Sequence, residues 1–140
     1  DITIIDFEGE PARPLQERRS KASPLKDVAG MIRSFDYAAA VMQRKSRESH
    51  AHLADTSRDA LLTAFIERAD AAFLNGYRAA APLQDGADTA LLELFLIEKA
   101  AYEVAYEAAN RQSWIDVPLH GLARLANRVT APTHQEAADD

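Results

Sequence analysis

Ser23-Pro24-Leu25-Lys26-Asp27-Val28-Ala29-Gly30-Met31-Ile32-Arg33-Ser34-Phe35-Asp36-Tyr37-Ala38 is the stretch from which the fold is read. Within and just beyond it, Leu25, Val28, Ile32, Phe35, Ala39 and Met42 recur three or four residues apart, which places them on one face of an α-helix. Ser23 is a capping side chain, and Pro24 stands at the first helical position, where a missing N–H does no harm. The pattern predicts a helix ending near Arg44 or Lys45. An apolar stripe of that length must be buried against neighbours, so the expected class is mainly α.

The neighbours are legible on the C-terminal side. Residues 46–56, rich in Ser, His and Arg, read as a loop, and Thr56 with Asp59 supplies a cap-and-acid start for a second long helix. Leu62, Phe65, Ile66, Ala69, Phe73 and Tyr77 form its expected buried face, and residues 81–86 stop it. A third helix is predicted from Ala87 to about Asn110, capped by Asp85. Its first half is apolar nearly all round through Leu91, Leu92, Leu94, Phe95, Leu96 and Ile97, which predicts the central and most buried helix. Pro118 opens a last helix with Leu119, Leu122, Leu125 and Val129 facing inward. Residues 1–130 are expected to form one unit, and residues 131–140 a frayed tail.

Composition narrows the class further. The chain has 140 residues, enough for one domain with its own core. Against 16 Lys and Arg stand 22 acids, a net charge of -6 that argues against a broad nucleic-acid or anionic-membrane surface. The absence of cysteine excludes disulfides and thiolate metal sites. The apolar run Leu94 to Ile97 is too short to span a bilayer, and a soluble, cytoplasmic protein is expected.

Before the first helix, Ile2-Thr3-Ile4-Ile5 leads into Asp6-Phe7-Glu8-Gly9-Glu10-Pro11, an apolar strand that delivers a carboxylate into a glycine turn. Such an acid can hold a hard cation at a fixed place, although a strand ending in Asp-x-x-Gly is by itself commonly a plain turn. Arg13-Pro14-Leu15-Gln16-Glu17-Arg18-Arg19 follows, then the helix already quoted. Later come Phe95-Leu96-Ile97-Glu98-Lys99-Ala100-Ala101-Tyr102-Glu103-Val104-Ala105-Tyr106-Glu107 and Trp114-Ile115-Asp116-Val117-Pro118-Leu119.

In these ordered blocks the chain resembles the maltokinases, from residue 4 to about residue 125. Those enzymes belong to the aminoglycoside-phosphotransferase branch of the protein-kinase-like fold and are in some bacteria fused to trehalose synthase. The resemblance implies the helical C-terminal lobe of such a kinase, with one short N-terminal strand and about four helices. It implies ATP as co-substrate, Mg2+ held by Asp6, and maltose as acceptor, converted to maltose 1-phosphate for glycogen-type α-glucan synthesis. It further implies that Lys99 and Tyr102 contact the disaccharide. The smaller ATP-clasping lobe and a catalytic loop of the type His-Gly-Asp-x-His-x-x-Gln are expected upstream of these residues. The general base would lie there, and the 140 residues alone are expected to be a C-terminal fragment without activity.

Spacing alone says less about the sites. Lys99, Tyr102, Glu103 and Tyr106 share one helix face, which suits a sugar but equally suits a Lys99–Glu103 pair worth about 0.3 kcal/mol. Glu98 and Tyr106 are left without a role. Residues Glu10, Arg13, Glu17, Arg18 and Arg19 read as a salt-bridged, solvated loop in the place of an activation segment. Among them Arg13 is the one able to meet phosphate or substrate bidentately. Glu8 reads as a turn acid. His50 and His52 with Asp55 lack the further ligands of a zinc site. Trp114 reads as a packing anchor, and Asp36 with Tyr37 as ordinary surface. Two alternatives to maltose phosphorylation are a helical module that contacts trehalose synthase, and a kinase acting on another sugar or an aminoglycoside.

Overall fold

The computed structural model describes Thr3 and residues 9–48, 55–83 and 86–130. The expected strand, with Asp6 and Glu8, the pair His50 and His52, Asp85 and the tail from residue 131 lie outside the described residues. Among the described residues the chain is helical, as expected, and contains no strand. A short helix α1 (Leu15–Arg19) precedes four longer ones: α2 (Leu25–Glu48), α3 (Asp55–Ala80), α4 (Ala87–Asn110) and α5 (Asp116–Thr130). A 3-10 turn, Gln112–Trp114, joins the last two. None of the described helices is long and apolar enough to cross a membrane.

Local chemistry explains most of the boundaries. The Leu25 N–H donates to Ser23 Oγ at 3.3 Å, and Val28 N–H to the Pro24 carbonyl at 3.2 Å, so the Ser-Pro pair starts α2. The helix continues three residues past Lys45, to Glu48. Thr56 is not a cap: α3 begins at Asp55, and Asp59 instead accepts a 2.7 Å hydrogen bond from Gln43 on α2. Pro118 does not open the last helix either. α5 starts at Asp116, and Pro118 is its buried third residue, still within the first turn, where a helix needs no donor.

Helix α2 packs against α3, α4 and α5, and α4 packs against α2 and α5. The hub is therefore α2 rather than α4. Its Leu25, Val28, Ala29 and Ile32 join Leu92, Leu96 and Ala100 of α4 and Leu125 of α5 in one apolar core. Phe35 meets Phe73 of α3 edge to face, with centroids 6.1 Å apart. Because α3 leans on α2 alone, part of its expected inner stripe faces out: Phe65 is exposed, as are Met42 on α2, Leu94 on α4 and Leu119 on α5. The all-round apolar pattern of α4 thus overstated its burial.

The polar segment before α2 is ordered by short-range bonds. Gly9 has φ 77°, the left-handed conformation expected of a glycine turn, and a Cβ there would press on Arg18 at 3.3 Å. The Arg13 N–H then returns to the Glu10 carbonyl at 3.0 Å. Helix α1 was expected as loop; it forms, but none of its residues is buried.

Candidate functional site

A cleft of about 630 Å³ opens between residues 9–24 and the facing sides of α2 and α4. Its floor includes Phe95 and Gly30. Its walls carry the carboxylates of Glu10, Glu17, Asp27 and Glu98 and the cations of Arg13, Arg18, Lys26 and Lys99. The formal charges cancel, and the contacts run across the cleft between elements distant in sequence.

Lys99 is in this wall, where its ammonium pairs with Glu10, not with Glu103 as helix spacing allowed. The same ammonium lies 5.4 Å from the centroid of the Tyr102 ring. Tyr102 is behind the wall: its hydroxyl accepts a 3.4 Å bond from the Ala12 N–H, and its ring stacks on Tyr106 at 6.2 Å. Burial pushes the Tyr102 phenol above its ordinary pKa, the nearby Glu10 adds to this, and the Ala12 N–H opposes it. Glu98, left without a role by spacing, accepts from Arg13 Nη2 at 2.7 Å and lies 3.5 Å from the Lys26 ammonium. Arg13 also pairs with Glu17, and that bond leads the causes that raise its already high pKa.

Outside the cleft lining, a second charged group, which sequence patterns did not announce, joins α2, α4 and α5. Arg33, 1% exposed, donates to Asp36 at 2.8 Å and to Glu103 at 2.6 and 3.2 Å. Asp36 is buried, not surface, and takes a further bond from Arg124 of α5. Burial raises the pKa of Glu103, with Arg33 working against the rise. The arrangement requires Gly121, whose Cα faces the guanidinium: a Cβ there would lie 2.6 Å from Nη2 and 2.9 Å from Cζ of Arg33. A sign of this network was present in the sequence, since Asp36 stands one turn from Ile32 on the apolar face.

Tyr37 is likewise not free surface. Its hydroxyl donates to the buried Glu107 at 2.9 Å, and Arg111 holds the same carboxylate. Burial is the main reason that the Tyr37 phenol is raised, with Glu107 second. Trp114 is an anchor, as expected, but an electrostatic one: Arg44 lies 4.9 Å and Arg111 5.4 Å from its ring. Arg44 bonds Asp116 at 2.9 Å and the Ser113 carbonyl, closing α5 onto α2. These groups are satisfied by one another and join helices.

Among the described residues no cluster of His, Asp or Glu could hold a metal ion. The metal ligand expected from sequence, Asp6, is outside them, and nothing described competes for that role.

No protein-family profile matches the chain. It is similar to a glucosamine kinase of Mycolicibacterium smegmatis (strain ATCC 700084 / mc(2)155), with 28% identity over 128 residues. The match covers 91% of this chain and 31% of that kinase, so the chain spans about a third of its relative's length. By sequence, the chain is similar to part of a sugar kinase.

Proposed function

We propose that this chain is the helical, acceptor-binding part of an ATP-dependent sugar kinase, and that the cleft beside Lys99 receives an uncharged saccharide, maltose, for phosphorylation at its anomeric hydroxyl. The cleft itself carries the reading. Its volume is in the range of small-molecule sites, and it combines fixed polar groups with an aromatic floor. Lys99 offers donors to sugar hydroxyls, Glu10 and Glu98 offer acceptors, and Phe95 offers an apolar surface to the C–H face of a pyranose. Lys99 is held by Glu10 and therefore needs little ordering when a ligand arrives. Tyr102 supports Lys99 from behind, and its own contact with the sugar would require the Ala12 bond to open.

The balance of four acids and four bases favours a neutral acceptor over a polycationic aminoglycoside, for which an excess of carboxylates would be needed. Asp6 would hold magnesium, which neutralises charge on the ATP phosphates when bound. The general base would be supplied from outside these residues. A second acceptor, glucosamine, is favoured by the name of the similar kinase. Docking to trehalose synthase is a separate possibility, tested by gel filtration of the two proteins together.

The decisive assay is ATP-dependent phosphorylation by the full-length protein that carries this chain, with maltose, glucosamine and an aminoglycoside in parallel. Turnover of maltose is expected, while preference for glucosamine would replace the acceptor and inactivity with all three would remove the reading. Lys99→Ala should raise the KM for the sugar about tenfold, the loss of a little over 1 kcal/mol from a charged hydrogen bond. Asp6→Asn should abolish turnover with the fold retained.

A further inference from the structure

Arg13 joins three parts of the cleft at once. One nitrogen of its fork pairs with Glu17 on α1, the other donates to Glu98 on α4 at 2.7 Å, and Cζ lies 5.5 Å from the Tyr102 ring centroid. Its immediate neighbour Ala12 gives its N–H to the Tyr102 hydroxyl, and Glu10 holds Lys99. The Arg13 side chain is three-quarters covered. Both terminal nitrogens of the guanidinium are engaged by carboxylates, so the bidentate contact to phosphate or substrate read from the sequence would require one of these pairs to open.

We propose that Arg13 is a positioning residue for saccharide recognition: by clamping Glu98 and covering Tyr102 it fixes residues 10–13 as one wall of the cleft before the acceptor arrives. The inference rests on the sugar-kinase reading and adds to it how the site is shaped. The physical reason is preorganisation. No residue of α1 is buried, so residues 9–20 gain little order from the core and must be held by polar contacts. Without the clamp, the cost of ordering this wall falls on ligand binding, which raises KM and leaves the chemical step alone. Lysine cannot substitute, because a single ammonium does not span two carboxylates on different helices in a fixed plane.

The test uses the full-length protein with Arg13→Ala, Arg13→Lys, Glu98→Gln and the double variant Arg13→Ala/Glu98→Gln. Both single Arg13 variants should raise the saccharide KM by about tenfold, with kcat and the KM for ATP within about twofold of wild type. If Arg13 acts through Glu98, adding Arg13→Ala to Glu98→Gln should change the saccharide KM by less than about threefold. The Tyr102 ring proton resonances should move in Arg13→Ala and should not be restored in Arg13→Lys. Wild-type KM in Arg13→Lys, an unchanged saccharide KM in Arg13→Ala, or a parallel rise in the KM for ATP would each overturn the clamp while leaving the kinase reading intact. Absence of saccharide turnover in the wild type would remove the kinase reading, and the inference with it.

Discussion

Gly121→Ala should destabilise this fold, although alanine is the better helix former and the site is inside α5. Intrinsic propensity favours the substitution by about 1 kcal/mol. Against it stands the guanidinium of Arg33, which a new Cβ would approach to 2.6 Å at Nη2 and 2.9 Å at Cζ, well inside ordinary contact. The far end of a long side chain can usually swing away, but this one is 1% exposed and fixed by Asp36 at 2.8 Å and by Glu103 at 2.6 Å. Retreat breaks a buried ion pair, which costs about 3–5 kcal/mol when a charge is left without its partner. The net expectation is a loss of about 2–4 kcal/mol, or a fall in Tm of roughly 6–12 °C for a chain of this size. Circular dichroism at 222 nm on heating measures it. Gly76→Ala is the comparator: it too is inside a long helix, but its added Cβ meets nothing within 4 Å, and a gain of about 0.5–1 kcal/mol is expected. The reasoning is refuted if Gly121→Ala melts at or above the wild type, because the buried arginine would then have room that its contacts deny.

Three further outcomes follow from the same contacts. Tyr37→Phe removes the 2.9 Å bond to Glu107, itself 2% exposed, and should lower the urea midpoint by the equivalent of about 1–2 kcal/mol; an unchanged midpoint would show that Arg111 alone satisfies the carboxylate. Burial lifts the Glu103 pKa, so the folded chain binds this proton more tightly than the unfolded one. Its contribution is full below the ordinary value of about 4.3 and is lost as pH rises through the raised value, so the stability advantage of wild type over Glu103→Gln should shrink with rising pH and not widen. Arg44→Met should cost about 1–2 kcal/mol and alter the emission of Trp114, the sole tryptophan, since the guanidinium lies 4.9 Å from its ring; unaltered emission would discount that contact.

What was legible in the sequence is what repeats locally. Leu25, Val28 and Ile32 announce α2 by their spacing, and Ser23 with Pro24 announces its start. The extent of burial was not legible, because it depends on how many helices surround each one: Phe65 and Leu94 fit their apolar patterns and still face outward. The buried charges were the larger omission. Arg33, Asp36 and Arg124 come from two helices and Glu103 from a third, and only the packing of α2, α4 and α5 brings them together. The shape of the cleft was hidden for the same reason. Glu10 and Arg13 are about ninety residues from Lys99 and Glu98, and no periodicity links them.

The exposed helix α1 and its flanking residues give the molecule two kinds of cohesion. The bundle of α2, α4 and α5 is joined by apolar side chains, and α2 is tied to α4 by the Arg33–Glu103 pair, withdrawn from water, on which dissolved ions have little purchase. The wall formed by residues 10–13 is tied to α4 by Lys99–Glu10 and Arg13–Glu98, pairs partly open to solvent, where mobile ions shield charge over about 8 Å at physiological ionic strength. Added salt therefore loosens one side of the cleft long before it disturbs the helices, and the cleft's shape follows the electrolyte while the scaffold beneath stays as it was.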